Sequence, residues 1–375
     1  MPSILRRALT ALAILAAVIG LEVGFERIVP DAAWRQLALF AMVNVVVALS
    51  LNVINGLAGQ FSIGHAGFVG VGAYTGAVVA GNLHVALGGG AETPFWRSFL
   101  VMPPALLVAG LVAGLFGLVV GLPSLRLKGD YLAIVTLGFA EIFRLVIATA
   151  QTGGASSSGL TGALARLGGQ NGYGGPTGNG VPQYAGPFWI FGAVAVSAII
   201  AWRLKFSGWG RALRALREDE IASAAVGVDP TRYKVTSFVI AAVGAGVAGA
   251  LLSSLRDGNP TVQPDQFNFA YSFDAITMVI LGGSGSVTGA VVGGVFVTFT
   301  VKMIEQLQGL DSVKALHAAH PGLDLNALRM VIYAAVLIGL MILRPEGLFG
   351  ERELFRAPRR ARAKIAPKPS AEGAG

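Results

Sequence analysis

Residues 270–304 read AYSFDAITMVILGGSGSVTGAVVGGVFVTFTVKMI, and the number of times this apolar run crosses a bilayer decides the fold. One crossing takes about 20 residues, and the run is well over that length. A single crossing would put Arg211, Arg232 and Lys234 on the side opposite Arg344 and the basic tail, against the bias of Lys and Arg toward the cytoplasm. Splitting the run at GGSGS, Gly282 to Ser286, into a short span 270–283 and a second span 287–304 removes the conflict.

Outward from this stretch, further apolar runs near span length lie at 8–23, 35–54, 61–81, 99–121, 130–150, 186–202, 234–254 and 327–343. The expected fold is therefore an all-α polytopic membrane protein of about ten transmembrane helices, some short or broken, with the N and C termini both cytoplasmic. Composition agrees: 54% of residues are hydrophobic and 13% charged, against roughly 25% charged in a soluble domain. The topology places Arg6, Arg7, Arg126, Lys128, Arg203 and Lys205 on the cytoplasmic side. Residues 8–23 also have the position of a cleaved signal peptide, but no small-residue cleavage site precedes Glu22, so an uncleaved first span is expected. Residues 1–345 form the membrane domain, with a cytoplasmic loop at 203–233 and a Gly-rich outer loop at 151–186. The outer loop lacks an apolar period and is expected to be an irregular cover, either a docking surface or lid for a soluble partner or a plain connector. Residues 346–375 form a basic Pro/Ala-rich tail expected to be disordered.

Several function classes fall away. The chain has no cysteine, which removes disulfides, thiolate metal sites and cysteine nucleophiles. The net charge of +8 owes much to the tail, where positive charge beside a membrane attracts anionic lipid; nucleic-acid binding is not expected. His65, His84, His317 and His320 are scattered, and no HExxH or GxSxG string occurs, so no catalytic set and no metal site are expected. GGSGSVTG lacks the Lys-Ser/Thr ending of a P-loop and no GK[ST] occurs anywhere. No cofactor is expected in this chain, and any ATP hydrolysis must come from another one.

Between two spans lies GWGRALRALREDEIASAAVGVDP, Gly208 to Pro230, a soluble-looking helix with the character of a lever. One helix from Arg211 to Val226 is expected, ended by Gly227 and again by Pro230. Arg214 and Glu218 can pair at i,i+4, followed by Asp219 and Glu220. Leu213, Leu216 and Ala224 make an apolar stripe for a groove on a partner.

NGLAGQFSIGHAGFVGVGAYTG, Asn55 to Gly76, places Asn55, Gly59, Gln60, Ser62, Gly64 and His65 where two spans meet. Such a polar, glycine-rich break suits either a translocation path and its gate or a tight turn whose amides cap helix ends. In KGDYLAIVTLGFAEIFRLV, Lys128 to Val146, Asp130 can cap the helix, while Glu141 and Arg144 sit three residues apart in mid-span. Charged groups there must pair or face a cavity, so they serve either as an internal ion pair or in gating. Glycines at packing spacing include Gly72 with Gly76, Gly110 with Gly114, Gly117 with Gly121, and the series Gly285, Gly289, Gly293 on one face.

LNVINGLAGQFSIGHAGF, KGDYLAIVTLGFAEI, GWGRALRALREDEIASAAVGVD, VILGGSGSVTGAVVGG and LRPEGLFG occur in that order. Together they resemble the membrane-spanning permease subunit of ABC importers for branched-chain amino acids, the longer of its two paralogous permeases. The likeness runs from about the second span to Gly350. It implies a bacterial inner-membrane heterodimer with the paralogous permease, two cytoplasmic ATP-binding subunits that use ATP, and an extracytoplasmic substrate-binding protein. The lever would be the coupling helix, with Arg214, Glu218, Asp219, Glu220, Ala224 and Gly227 in the segment that meets the ATPase. The Asn55–Gly76 cluster would line or hinge the path. The solute would be leucine, isoleucine or valine, with urea, short-chain amides or other amino acids as alternatives. A stand-alone secondary transporter or channel is the reading from a different class.

Overall fold

The computed structural model describes residues 20, 22–90, 93–124, 131–150 and 160–308, and beyond them 331, 334–335, 338–339, 342–343, 347–350 and 353. Most of the expected spans 8–23 and 327–343, Asp130, Arg126, Lys128, His317, His320, the start of the outer loop and nearly all of the tail lie outside the described residues.

The long elements are helices: α1 Ala32–Asn52, α2 His65–Ala86, α3 Phe95–Ser124, α4 Tyr131–Thr149, α6 Pro187–Phe206 and α9 Pro230–Ser253. These six are long and apolar enough to cross a membrane. The other helices are α5 Leu160–Ala165, α7 Gly208–Glu218, α8 Glu220–Ala225, α10 Phe269–Gly282 and α11 Val287–Gln308. The run at 270–304 is split between Gly282 and Ser286 as the charge bias predicts, with Gly283 at φ +116° and Gly285 at φ +84° turning the chain between α10 and α11. Those angles favour glycine because a Cβ would crowd the backbone.

Short polar side chains start the helices. Asp31 accepts from the Ala33 amide at 2.8 Å, Asp229 from Arg232 at 3.2 Å and Asn268 from Tyr271 at 3.1 Å, each satisfying a first-turn donor that has no intrahelical partner. Pro230 is the first residue of α9, so it starts a helix as well as ending the lever.

α1 is the axis of the bundle. It packs against α6, α9, α10 and α11, while α9 is wedged between α1, α2 and α3. Close approach depends on small residues: a Cβ at Gly72 would fall 2.2 Å from the Gly246 carbonyl oxygen, and one at Gly249 2.0 Å from that of Val69. In lipid, where apolar side chains gain little by leaving the solvent, such backbone contact is a principal source of helix association. The glycines expected to serve packing do so on α2 and α3: Gly76 meets Ala250, Gly114 meets Val243 and Gly117 meets Ala242. The Gly285 series needs correction. Gly289 faces the Gly282 carbonyl and Gly293 that of Met278, whereas Gly285 sits in the turn against Gly56, because the helix begins only at Val287.

At the end of the bundle away from α7, the loop after α5 is tied to the segment after α9. Tyr173 and Ala185 form bridges with Val262 and Leu255, and Val181 donates to Pro260 O at 2.7 Å. Arg35 holds Asp257, which has φ +59°, at 3.1 Å.

Candidate functional site

The lever is two helices. Ser207 caps α7 by accepting from the Gly210 amide at 3.1 Å. α7 then stops at Asp219, whose φ of −153° and ψ of 115° are extended. Asp219 caps α8, accepting from Ile221 N at 2.8 Å and Ala222 N at 3.0 Å. The single helix expected from Arg211 to Val226 is thus broken by an aspartate that is a better N-cap than helix interior. Gly227, at φ +92°, ends the second piece as a left-handed glycine past a helix end does.

The apolar stripe also needs correction. Leu213 and Leu216 are buried, and Leu213 packs with Leu57 and Ala58 of the same chain, flanked by Leu204, Trp209 and Tyr233. Trp209 stacks on Tyr233 at 5.6 Å. The apolar surface left free is different: Ile221 is 85% exposed and Val226 80%. Around it Glu218, Asp219, Glu220, Ala224 and Gly227 are exposed. Arg214 does not pair with Glu218. It turns back to the carbonyls of Gly210 and Lys205, both at 3.4 Å, while Glu218 accepts from Arg217 at 3.5 Å and Glu220 from Lys234 at 2.5 Å.

Beneath α7, α1 unwinds through a π turn, Val53–Leu57, into the loop that leads to α2. Arg217 and Asn52 bind this region together, and neither was among the candidate residues. Arg217 Nη1 donates to Gly56 O at 3.0 Å. Asn52 accepts from Gly285 N at 2.8 Å and donates to Ser286 O at 3.1 Å, reading both sides of the α10–α11 turn. The lever, the π turn and the hairpin between α10 and α11 therefore meet at one point. The basic residue nearest the acidic end of α7 and an asparagine closing an apolar helix were the signals in the sequence.

The loop candidates gather at this same end. Gly59, at φ +66°, underlies the Arg217 stem. Ser62 N donates to Asn55 Oδ1 at 3.2 Å, Ile63 N to Thr136 Oγ1 at 3.2 Å, and His65 Nε2 lies 2.8 Å from Ser50 Oγ. Since Ser50 Oγ donates to Val47 O, His65 Nε2 is the donor and Nδ1 is left as an acceptor. Gly64 abuts Thr136, whose carbonyl oxygen would lie 1.9 Å from an added Cβ. Asn55 Nδ2, both Gln60 side-chain polar atoms, Ser62 Oγ and His65 Nδ1 are buried without a hydrogen-bond partner among the described residues. Leaving such an atom unmatched costs about 1–3 kcal/mol, so a loop holding five of them is built to meet water or another molecule.

Glu141 and Arg144 belong elsewhere. Arg144 Nε donates to Glu141 at 2.8 Å and Nη1 to Asp265 at 3.0 Å; Asp265 also accepts from Gln170 at 3.0 Å. Arg144 is eight residues along α4 from Thr136, about 12 Å at helical rise. The pair ties α4 to the loops at the far end and does not join the cluster around His65.

The family of branched-chain amino acid transport system permease components matches residues 34–342. The high-affinity branched-chain amino acid transport system permease protein LivM of Escherichia coli (strain K12) is 33% identical over 332 residues, covering 84% of this chain and 69% of that protein. The probable branched-chain amino acid transport permease protein LivM of Methanocaldococcus jannaschii is 26% identical, covering 84% of this chain and 92% of that one. LivH of Escherichia coli (strain K12) is 30% identical over 167 residues, 44% of this chain and 47% of that protein. The chain belongs to the permease-component family of branched-chain amino acid transport systems.

Proposed function

We propose that this chain is the longer permease of an ATP-driven importer of leucine, isoleucine and valine in a bacterial inner membrane. It works with a paralogous permease, two cytoplasmic ATP-binding subunits that consume the ATP, and an external binding protein that delivers the solute. Ten spans, with both termini cytoplasmic, put α7 and α8 at the inner surface and the loops around Tyr173 and Val262 at the outer one. The chain itself carries no ATPase chemistry, and selectivity rests mainly with the binding protein.

The observation that carries this reading is the tip of the lever. Ile221 and Val226 stand exposed beside Glu218 and Glu220, while the inner face of α7 is buried on its own chain. An apolar knob beside carboxylates on α8, carried by α7, whose inner face is seated against the spans, suits a docking contact that receives force. Movement of the ATPases displaces α7 and α8. Through Arg217 and Asn52 the displacement reaches the π turn and the α10–α11 hairpin, where half-broken helices can rock between two packings. The cluster Asn55, Gly59, Gln60, Ser62, Gly64 and His65 forms the inner gate, and Glu141 with Arg144 stabilises the outer end of the path.

Reconstitution tests this. With the paralogous permease, the ATP-binding subunits, the binding protein and ATP, proteoliposomes should accumulate leucine, and replacing Glu218, Asp219 and Glu220 by alanine should abolish coupled uptake while leaving insertion intact. Uptake by the isolated chain under an ion gradient would overturn the proposal.

A further inference from the structure

Gly347 to Gly350, at the end of the string LRPEGLFG, and Glu353 after it take no part in the function derived so far, yet they make specific contacts with the spans. Leu348 N donates to Leu281 O at 2.7 Å and Phe349 N to Gly282 O at 3.1 Å, satisfying carbonyls that the end of α10 leaves without helical partners. Gly347 and Gly350 both lie against Gly283, where an added Cβ would meet backbone at 2.7 Å or less. Three residues on, the Glu353 carboxylate collects four donors: Lys205 Nζ at 2.6 Å, Val287 N at 2.8 Å, Thr288 N at 3.0 Å and Thr288 Oγ1 at 2.5 Å.

Two of these donors are first-turn amides of α11, the positive end of a 22-residue helix and a favourable place for a carboxylate. Thr288 Oγ1 is on the same turn, and the remaining donor, Lys205, lies at the root of the lever. Lys205 stands two residues before the Ser207 cap, and both members of the pair are almost fully buried, with side chains 7% and 4% exposed. A buried pair of this kind resists separation, because parting it strands a charge away from water.

We propose that Glu353 is a positioning residue for energy coupling, forming with Lys205 a latch that fastens the base of the lever to the α10–α11 turn. This rests on the permease reading above. The number of attachment points decides what the lever can transmit. At its far end α7 holds the turn through Arg217, Gly56 and Gly285; just ahead of its Ser207 cap, the last turn of α6 holds the start of α11 through Lys205 and Glu353. The two points flank α7, which is eleven residues or about 16 Å long. A rod fixed at one point swivels and dissipates a push as local rotation. A rod fixed at two carries its partner with it, so tilt of the lever becomes tilt of the hairpin. Glu353 supplies the second fixture and thereby enters the transmission.

The test uses the complete reconstituted transporter and reads leucine taken up per ATP hydrolysed. Glu353→Ala should assemble and hydrolyse ATP in the presence of binding protein, with uptake per ATP at least fivefold lower than wild type. Lys205→Arg, which keeps the charge, should retain most of the ratio, whereas Lys205→Met should fall with Glu353→Ala. The chain has no cysteine, so Lys205→Cys/Glu353→Cys can be bridged by a short bifunctional thiol reagent. Bridging should restore coupling that the unbridged protein lacks, and this variant is read if Glu353→Ala does not assemble. An unchanged ratio in Glu353→Ala or in the unbridged double variant overturns the latch, as does bridging that restores nothing. Failure of wild-type uptake would instead overturn the permease reading, because the latch is read only as a ratio to wild type.

Discussion

The stem of Arg217 lies directly over Gly59: a Cβ at that glycine would come within 2.3 Å of Arg217 Cγ, and the glycine's φ of +66° is itself one that side chains avoid. Two separate requirements thus meet at one residue, a left-handed turn and a clear path for the arginine to reach Gly56 O. Gly59→Ala violates both and should cost about 1–3 kcal/mol. Its melting temperature in detergent should fall, and protease cleavage between α8 and α9 should rise as Arg217 is lifted from its seat. Unchanged melting and unchanged cleavage would show that the lever is not held there.

Arg217→Met isolates the polar half of the same contact. The stem still covers Gly59 but the Gly56 carbonyl loses its donor. Because the arginine is partly exposed, the loss should sit near the low end for a charged hydrogen bond, about 1.5 kcal/mol. Coupled uptake should drop further than stability does, since the lever then meets the π turn without a fixed link. Equal losses in both would assign Arg217 a purely structural part.

The two faces of the lever can be told apart by one pair of variants. Leu213 is fully buried, so Leu213→Ala should destabilise the chain by about 2–5 kcal/mol. Ile221 is 85% exposed, so Ile221→Ser should shift stability by less than about 0.5 kcal/mol while weakening capture of the ATP-binding subunits. Thermal unfolding and co-purification measure the two effects. If Leu213→Ala lost only subunit binding and Ile221→Ser lost only stability, the assigned faces would be reversed.

A partner-facing role for Leu213 and Leu216 is the assignment the sequence by itself favoured, and the reason is physical. Heptad-like spacing showed that Leu213 and Leu216 share a face, but whether a face meets its own chain or another depends on residues such as Leu57 and Ala58, more than 150 positions away. Six of the spans, the stop at Gly227 and the split at Gly282 to Ser286 were legible because they depend on local composition and charge bias. Asp219 was misread because a strong N-cap and a middle helix residue are the same residue until the flanking backbone is known. Gly285 was read by spacing as part of a helix face, although its partners are Gly56 and Asn52 from another helix. The Asn55–His65 break was visible as a polar anomaly; its convergence with Arg217 is a tertiary fact.

Glycines of similar sequence context should differ sharply when replaced. Gly249 touches the backbone of α2, with Val69 O only 2.0 Å from an added Cβ, so Gly249→Leu should cost more than about 3 kcal/mol and lower membrane yield. Gly138 on α4 has open space around it. There Gly138→Ala should leave the isolated chain intact or stabilise it by up to about 1 kcal/mol through helix propensity. Yield and melting temperature of the purified chain decide this, and parity between the two variants would contradict the close packing of α2 on α9.

Glu353 gives the latch a defined pH dependence. Burial pushes its carboxyl up, but hydrogen bonds from Lys205, Thr288 and Val287 outweigh burial and hold it below the ordinary carboxylate range. A group whose folded value lies below its unfolded one stabilises the fold fully above the unfolded value and loses that contribution as pH falls through the folded one. Because an unfolded glutamate titrates near pH 4.3, the stability gap between wild type and Glu353→Gln should stay level from about pH 8 to about pH 5.5 and close only below about pH 4. Melting temperatures of both proteins across that range measure the gap. One that closed near neutral pH would mean that burial prevails over the four donors, leaving the carboxyl protonated and the latch without its charge.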